Sequence, residues 1–165
     1  MITNLDEIAA YAALHETENQ SFQLFLKTQN AERTDEFVKV LNERISPQID
    51  CTQCGNCCKT LMINVNEEEA NALAGYLHLQ RSDFDERFIE KGMHGMMLIN
   101  QIPCHFFKEK KCSVYDYRFA GCREFPGLHL PHFIQRLFTV FMHYNRCPII
   151  FNVIEELKYS MEFKK

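Results

Sequence analysis

The sequence predicts a fold that is mainly α with short β strands (α+β): one small domain of helices and ordered loops gathered around a cysteine-rich segment. Three observations predict it. Apolar residues recur at helical spacing through both ends of the chain. Extended character is confined to short runs in the middle. Four of the eight cysteines stand within one short stretch, Cys51-Thr52-Gln53-Cys54-Gly55-Asn56-Cys57-Cys58, flanked by neither long helix nor long strand.

Residues 3–28 read as a helix: Leu5, Ile8, Ala9, Ala12 and Ala13 keep helical spacing, and Phe22, Phe25 and Leu26 continue it. Thr3 or Asn4 suits the cap, with Asp6 and Glu7 favourable in the first turn. After a break near 28–34, a second helix places Phe37, Val40, Leu41 and Ile45 on one face and ends at or before Pro47. Past the cysteines, residues 61–65 read as a strand. Asn66 then caps a helix opening on Glu67, Glu68 and Glu69, with Ala70, Leu73, Ala74 and Leu77 on its apolar side. Another short helix is expected from Ser82 through Ile89, stopping near Gly92, before extended chain at 96–107. Residues 112–126 read as an ordered loop with helical turns. Pro131 can open a helix that lines up Phe133, Leu137, Phe138 and Phe141. A last helix follows Cys147-Pro148, with Ile149, Ile150, Val153, Ile154 and Leu157 inward and a fraying basic end at Lys164-Lys165. No linker or repeat interrupts the pattern, so residues 1–165 are expected to form a single domain: a helical segment at 1–50, a cysteine-cluster core at 51–148 and a C-terminal helix at 149–165.

Cysteines two residues apart can turn their sulfurs toward one point, the device from which zinc knuckles and iron–sulfur sites are built. Gly55 supplies the tight turn, because it reaches positive φ without a steric penalty. Thiols held so close repel once ionised, and a cation removes that repulsion. The remaining four cysteines, Cys104, Cys112, Cys122 and Cys147, lie in no plain helical stripe; Cys104 and Cys147 each adjoin a proline. One such residue could be ordinary apolar filling, but not readily all four beside a four-cysteine cluster. The expected metal ligands are therefore Cys51, Cys54, Cys57, Cys58, Cys104, Cys112, Cys122 and Cys147. Four-sulfur coordination suits zinc and an iron–sulfur cluster, such as a 4Fe-4S centre, about equally.

Composition limits the alternatives. Hydrophobic residues are 46% and charged residues 24% of the chain, ordinary values for a globular protein. A net charge of −4 disfavours nucleic acid, whose phosphates require surplus Lys and Arg. Residues 1–13 carry Asp6 and Glu7 but no basic residue, unlike an export signal, and no apolar run approaches the ~18 residues of a membrane span. A cytoplasmic setting is expected, where dense cysteines bind metal more often than they form disulfides.

The cysteine segment, followed by Pro103-Cys104-His105-Phe106, Cys112-Ser113-Val114-Tyr115, Arg118, Cys122-Arg123-Glu124-Phe125-Pro126 and Cys147-Pro148, resembles the bacterial YkgJ-type cysteine-cluster family, also described as the CxxCxxCC zinc- or iron-chelating domain. The resemblance spans about residues 51–148 and includes every cysteine. It departs at Phe119, where the family usually has proline. The resemblance implies metal or iron–sulfur binding. Because flagellin lysine methylases look like longer chains bearing the same domain, it also admits a metal- or cluster-dependent modifying enzyme with a protein substrate. The chain has neither a glycine-rich nucleotide loop nor the cysteine run of radical enzymes using S-adenosylmethionine.

Between the cysteines, His105, Tyr115, Arg118 and Arg123 could support ligand sulfurs or grip substrate; equally, the arginines could pair with Asp116 or Glu124 and hold the loop. His129, His132 and His143 read as surface or core residues, and Met93, Met96 and Met97 as core filling. The leading expectation is a metal-binding protein serving redox chemistry, metal handling or a partner-binding surface. A protein-modifying enzyme and a structural zinc adaptor are the alternatives.

Overall fold

A computed structural model describes residues 1–109 and 111–164. It is mainly helical with short antiparallel strands, as the sequence predicts. Lys165, at the expected fraying end, lies outside the described residues. Contacts divide the chain into two compact units, one formed by Met1–Asp50 with Pro126–Lys165 and the other by Cys51–Phe125.

In the first unit Asn4 caps helix α1, Leu5–Leu14, its side-chain oxygen accepting from the backbone of Asp6 and Glu7 at 2.9 and 3.1 Å. The single helix expected over 3–28 turns at His15, where φ is −110° and ψ 21°, and resumes as α2, Glu16–Lys27. The cause is local. His15 Nδ1 donates to the Tyr11 carbonyl at 2.9 Å, sharing that acceptor with the His15 backbone N–H, and the two rings stack 3.8 Å apart. Helix α3, Ala31–Ile45, buries Thr34, Val38, Leu41 and Ile45, whereas Val40 is 57% exposed. Thr34 shifts the buried face by satisfying its own hydroxyl on the Asn30 carbonyl at 2.8 Å, so a polar residue sits inside at little cost.

The later part of this unit departs from the expected single helix after Pro131. A 3₁₀ turn at Phe133–Arg136 leads into helix α9, Leu137–Met142, and the buried residues are Phe133, Leu137 and Val140 while Phe138 stands 80% exposed. Asp35 holds the start of the turn, accepting from the backbone of His132 and Phe133 at 2.7 and 2.8 Å. Helix α10, Pro148–Ser160, opens on proline at its first position and is buried on most sides, the five expected apolar residues among them. Two polar residues were not foreseen inside. Asn152 pairs through its amide with both backbone groups of Ile2, at 2.9 and 2.7 Å. Lys158, 5% exposed, donates to Glu155 at 2.6 Å, Asn19 at 2.7 Å and Glu18 at 3.1 Å. Tyr11 and Tyr144 in turn donate to the Glu155 carboxylate at 2.9 and 2.6 Å. Burial and that carboxylate push the Tyr11 hydroxyl up to about 12 and Tyr144 higher still.

The second unit begins with two short helices, α4 at Cys51–Cys54 and α5 at Asn56–Thr60. The strand expected over 61–65 is reduced to β1, Asn64–Val65. Helix α6, Glu67–Tyr76, follows with the expected capping box: Asn66 accepts from the Glu69 N–H at 2.8 Å, and Glu69 accepts from the Asn66 N–H at 3.1 Å. Helix α7, Arg81–Phe88, stops earlier than expected, because residues Ile89–Lys91 form strand β2. Strand β3, Met97–Ile99, takes the centre of an antiparallel sheet ordered β1-β3-β2, with Val65 and Lys91 both opposite Met97. The pull of this pairing overrides the weak helical signal at Ile89. Of the three methionines read as core filling, Met97 is buried; Met93 and Met96, at the turn joining β2 to β3, are 80% and 50% exposed. Strands β4, Phe107–Lys108, and β5, Lys111–Cys112, make a second ribbon that pairs Phe107 with Cys112. A 3₁₀ turn at Tyr115–Tyr117 and helix α8, Ala120–Glu124, complete the loop expected to hold helical turns. No described helix is long and apolar enough to cross a membrane.

Candidate metal centre

The centre is built by four local devices within the Cys51–Phe125 unit. In the first, α4 sets Cys51 and Cys54 one helical turn apart, and Gly55 reverses the chain at φ 55° and ψ 11° while its N–H closes on the Cys51 carbonyl at 3.0 Å. This is the positive φ expected of Gly55, and it aims the next helix so that Cys57 and Cys58 follow immediately. In the second, the Cys104 N–H donates to the Cys58 carbonyl at 2.9 Å, stitching the two cysteine segments together. The third is the β4–β5 ribbon: it carries Cys112 back beside Cys104, whose carbonyl accepts from Phe107 at 2.9 Å, and α4 packs against β5.

The fourth device brings in Cys122 and was missed by sequence reasoning. The Glu69 carboxylate caps α6, accepts from the Ala120 N–H at the start of α8, and pairs with Arg123 at 3.6 Å. One side chain therefore ties the opening of α6 to the helix bearing Cys122. The sequence signal was present: the third glutamate of the acidic triplet stands at the capping-box position. Glu69→Ala should leave the Ala120 N–H and the Asn66 N–H without their acceptor and destabilise the fold by about 1–3 kcal/mol. Urea denaturation would check this; a midpoint unchanged from the parent would show that the tie is idle.

Cys104, Cys112 and Cys122 pack against one apolar cluster that includes Val65, Leu73, Phe84, Phe106, Val114 and Phe119. Phe119 keeps φ at −59°, close to the value a proline ring imposes, and is 3% exposed.

Five sulfurs lie within one another's electrostatic reach. Cys58 acts on Cys57; Cys57, Cys112 and Cys104 act on Cys58; and Cys104, Cys57 and Cys112 act on Cys122. The Cys58 thiol donates to Cys57, and this bond, assisted by backbone N–H groups and Arg118 against the opposing effect of burial, holds Cys57 down at about 7. Its partner Cys58 is driven up by the same hydrogen bond and by burial. Burial raises Cys104, and burial with neighbouring sulfurs pushes Cys122 up to about 12. The thiolate is favoured at Cys57 and opposed at Cys58, Cys104 and Cys122, a balance that a bound cation reverses.

The donor chemistry fits zinc or an iron–sulfur group: soft sulfurs, half-buried, beside a permanent cation. As the side chains stand, no three Cys, His, Asp or Glu groups among the described residues converge tightly enough to hold an ion.

The other expected residues fall as follows. Cys51 is exposed and Cys54 half-buried, both on α4. Cys147 belongs to the first unit, where it is 7% exposed and caps α10. His105 is engaged by Asn100, with Nε2 and the amide oxygen 2.6 Å apart, and its ring edge meets Phe88. Arg123 pairs with Glu69 and donates to the Arg118 carbonyl, so it secures the loop. Tyr115 is half-exposed and carries the Arg118 guanidinium 3.6 Å above its ring.

The sequence profile of the CxxCxxCC family, titled "Putative zinc- or iron-chelating domain", matches residues 50–147, more than half of the chain. The chain belongs to this family. No curated protein and no solved structure matches it.

Proposed function

We propose that the protein binds one metal centre, zinc or an iron–sulfur cluster, through thiolates of its Cys51–Phe125 unit, drawn from the five mutually acting cysteines Cys57, Cys58, Cys104, Cys112 and Cys122 with Cys51 and Cys54 beside them. The observation that carries this reading is the gathering of those sulfurs from three chain segments: the Cys104 N–H closes on the Cys58 carbonyl, the β4–β5 ribbon returns Cys112, and Cys104, Cys112 and Cys122 pack against one apolar cluster. A cluster would supply one-electron transfer, and zinc would supply a fixed cross-link between the segments. The chain's own residues gather the sulfurs, shield them on the apolar cluster and keep their charge balanced.

Cobalt(II) titration of the reduced, metal-free protein tests this reading. Sulfur-to-cobalt absorption saturating at one equivalent is the expected result, since cobalt accepts the tetrahedral thiolate sites of zinc. Absence of that band in protein with all thiols reduced would contradict the reading.

A further inference from the structure

The β4–β5 ribbon sets two like charges against each other. Lys108 and Lys111 are direct partners across its strands, so their side chains leave from one face, with Cβ atoms roughly 4.5–5.5 Å apart. Both are exposed, and like charges directly opposite oppose the pairing of the strands. Lys59, exposed on α5 immediately after Cys58, holds its Nζ 5.5 Å from the centre of the Phe107 ring, which points the other way from Lys108. Among the described residues no carboxylate pairs with any of these three lysines. Glu109, exposed in the turn after Lys108, forms no ion pair with Lys108 or Lys111.

The ribbon does not need these charges to form. The Phe107 N–H donates to the Cys104 carbonyl at 2.9 Å, the Ser113 N–H donates to the Phe106 carbonyl at 2.8 Å, and Phe107 faces Cys112. Neutral side chains at 108 and 111 would keep all of this and remove the repulsion. The cations are also gathered against the balance of the chain, whose net charge is −4. Clustered carboxylates relieve such a group of ammonium ions, each oxygen accepting from more than one donor. A nucleic acid fits less well, because its charge extends far beyond the ribbon over a chain that repels it. We infer that the β4–β5 ribbon with Lys59 is a docking surface for an acidic protein, one presenting clustered Asp and Glu side chains to Lys59, Lys108 and Lys111. Lys59 follows Cys58 and Lys111 precedes Cys112, so the docked partner lies beside the thiols. Exposed pairs of this kind guide encounter and select the partner more than they tighten the complex. The inference rests on the charge of the ribbon and stands whether or not a metal is bound.

Fluorescence anisotropy of a labelled oligoglutamate peptide, titrated with the full chain, tests it. Binding at low salt that weakens as salt rises is the expected result, because exposed charge pairs are screened. Lys108→Gln combined with Lys111→Gln should weaken that binding about tenfold. The same double variant should be at least as stable to urea as the parent, since the opposed charges are gone, so its loss of binding is not a loss of fold. Lys27→Gln combined with Lys39→Gln removes the same charge from exposed positions on α2 and α3 and should bind within about twofold of the parent. No binding at low salt, or parental binding by the ribbon variant, would overturn the docking surface. Equal losses in the two double variants would overturn it too, by showing a response to net charge alone. A single-stranded oligonucleotide of the same charge is the competing probe: tighter binding of it than of the peptide, lost in the ribbon variant, would replace the acidic protein with a nucleic acid.

Discussion

Cys104→Ser is expected to lose stoichiometric metal and to unfold at the temperature of the metal-free parent, with no further fall when a chelator is added. Cys104 is the residue whose N–H fastens the middle of the chain to Cys58, and serine preserves that backbone bond while removing the sulfur. Replacing a half-buried thiol that merely fills space should cost only on the order of 1 kcal/mol. Removing a ligand costs far more, because the apparent binding energy of a structural zinc, roughly 10–16 kcal/mol in small domains, is coupled to folding. The two possibilities are therefore separated by magnitude. Thermal unfolding with and without chelator, beside elemental analysis, reads the difference. Full metal content and an unshifted transition in the variant would remove Cys104 from the ligand set.

The second large effect is expected in the other unit. Lys158→Met should destabilise the protein by about 3–5 kcal/mol, the cost of withdrawing one member of a buried charge group. Lys158 is 5% exposed and is the only cation bonded to both Glu18 and Glu155 among the described contacts. Its loss leaves two carboxylates near one another inside the α2–α10 packing, with Tyr11 and Tyr144 still donating to one of them. A double variant, Lys158→Met with Glu155→Gln, should recover part of the loss, because it removes one of those charges. Urea denaturation of both variants measures this, and equal stability of Lys158→Met and the parent would show that the network contributes little.

The two predictions also mark what was legible in the sequence. The helix caps at Asn4 and Asn66, the left-handed turn at Gly55 and the inward face of α10 follow from local chemistry, which a short stretch of sequence contains in full. Val40 and Phe138 were assigned inward by spacing alone, yet two overlapping stripes can satisfy helical spacing, and the buried one is chosen by partners distant in sequence. Ile89 was read into a helix for the same reason: its strand exists only because β3 returns to pair with it. In the centre, the cysteines announce themselves by spacing, whereas the parts that arrange them do not. Glu69 looks like an ordinary helix-opening acid until Ala120 and Arg123 arrive beside it, and Arg118 and Arg123 are indistinguishable in sequence although one lies on Tyr115 and the other on Glu69. Lys158 carries no sequence sign of burial, because two of its three partners, Glu18 and Asn19, come from helix α2, more than a hundred residues earlier, and only Glu155 from its own helix.

The central claim is that the thiols of the Cys51–Phe125 unit hold a metal centre. Its most direct test is the absorption spectrum, with iron, zinc and sulfide analysis, of protein purified without oxygen and without a metal-leaching affinity column. The account predicts a stoichiometric centre: either a brown protein absorbing near ~400 nm with iron and sulfide, or a colourless one with zinc. Protein that carries neither metal, keeps every thiol free and takes up neither zinc nor iron with sulfide on reconstitution would contradict it.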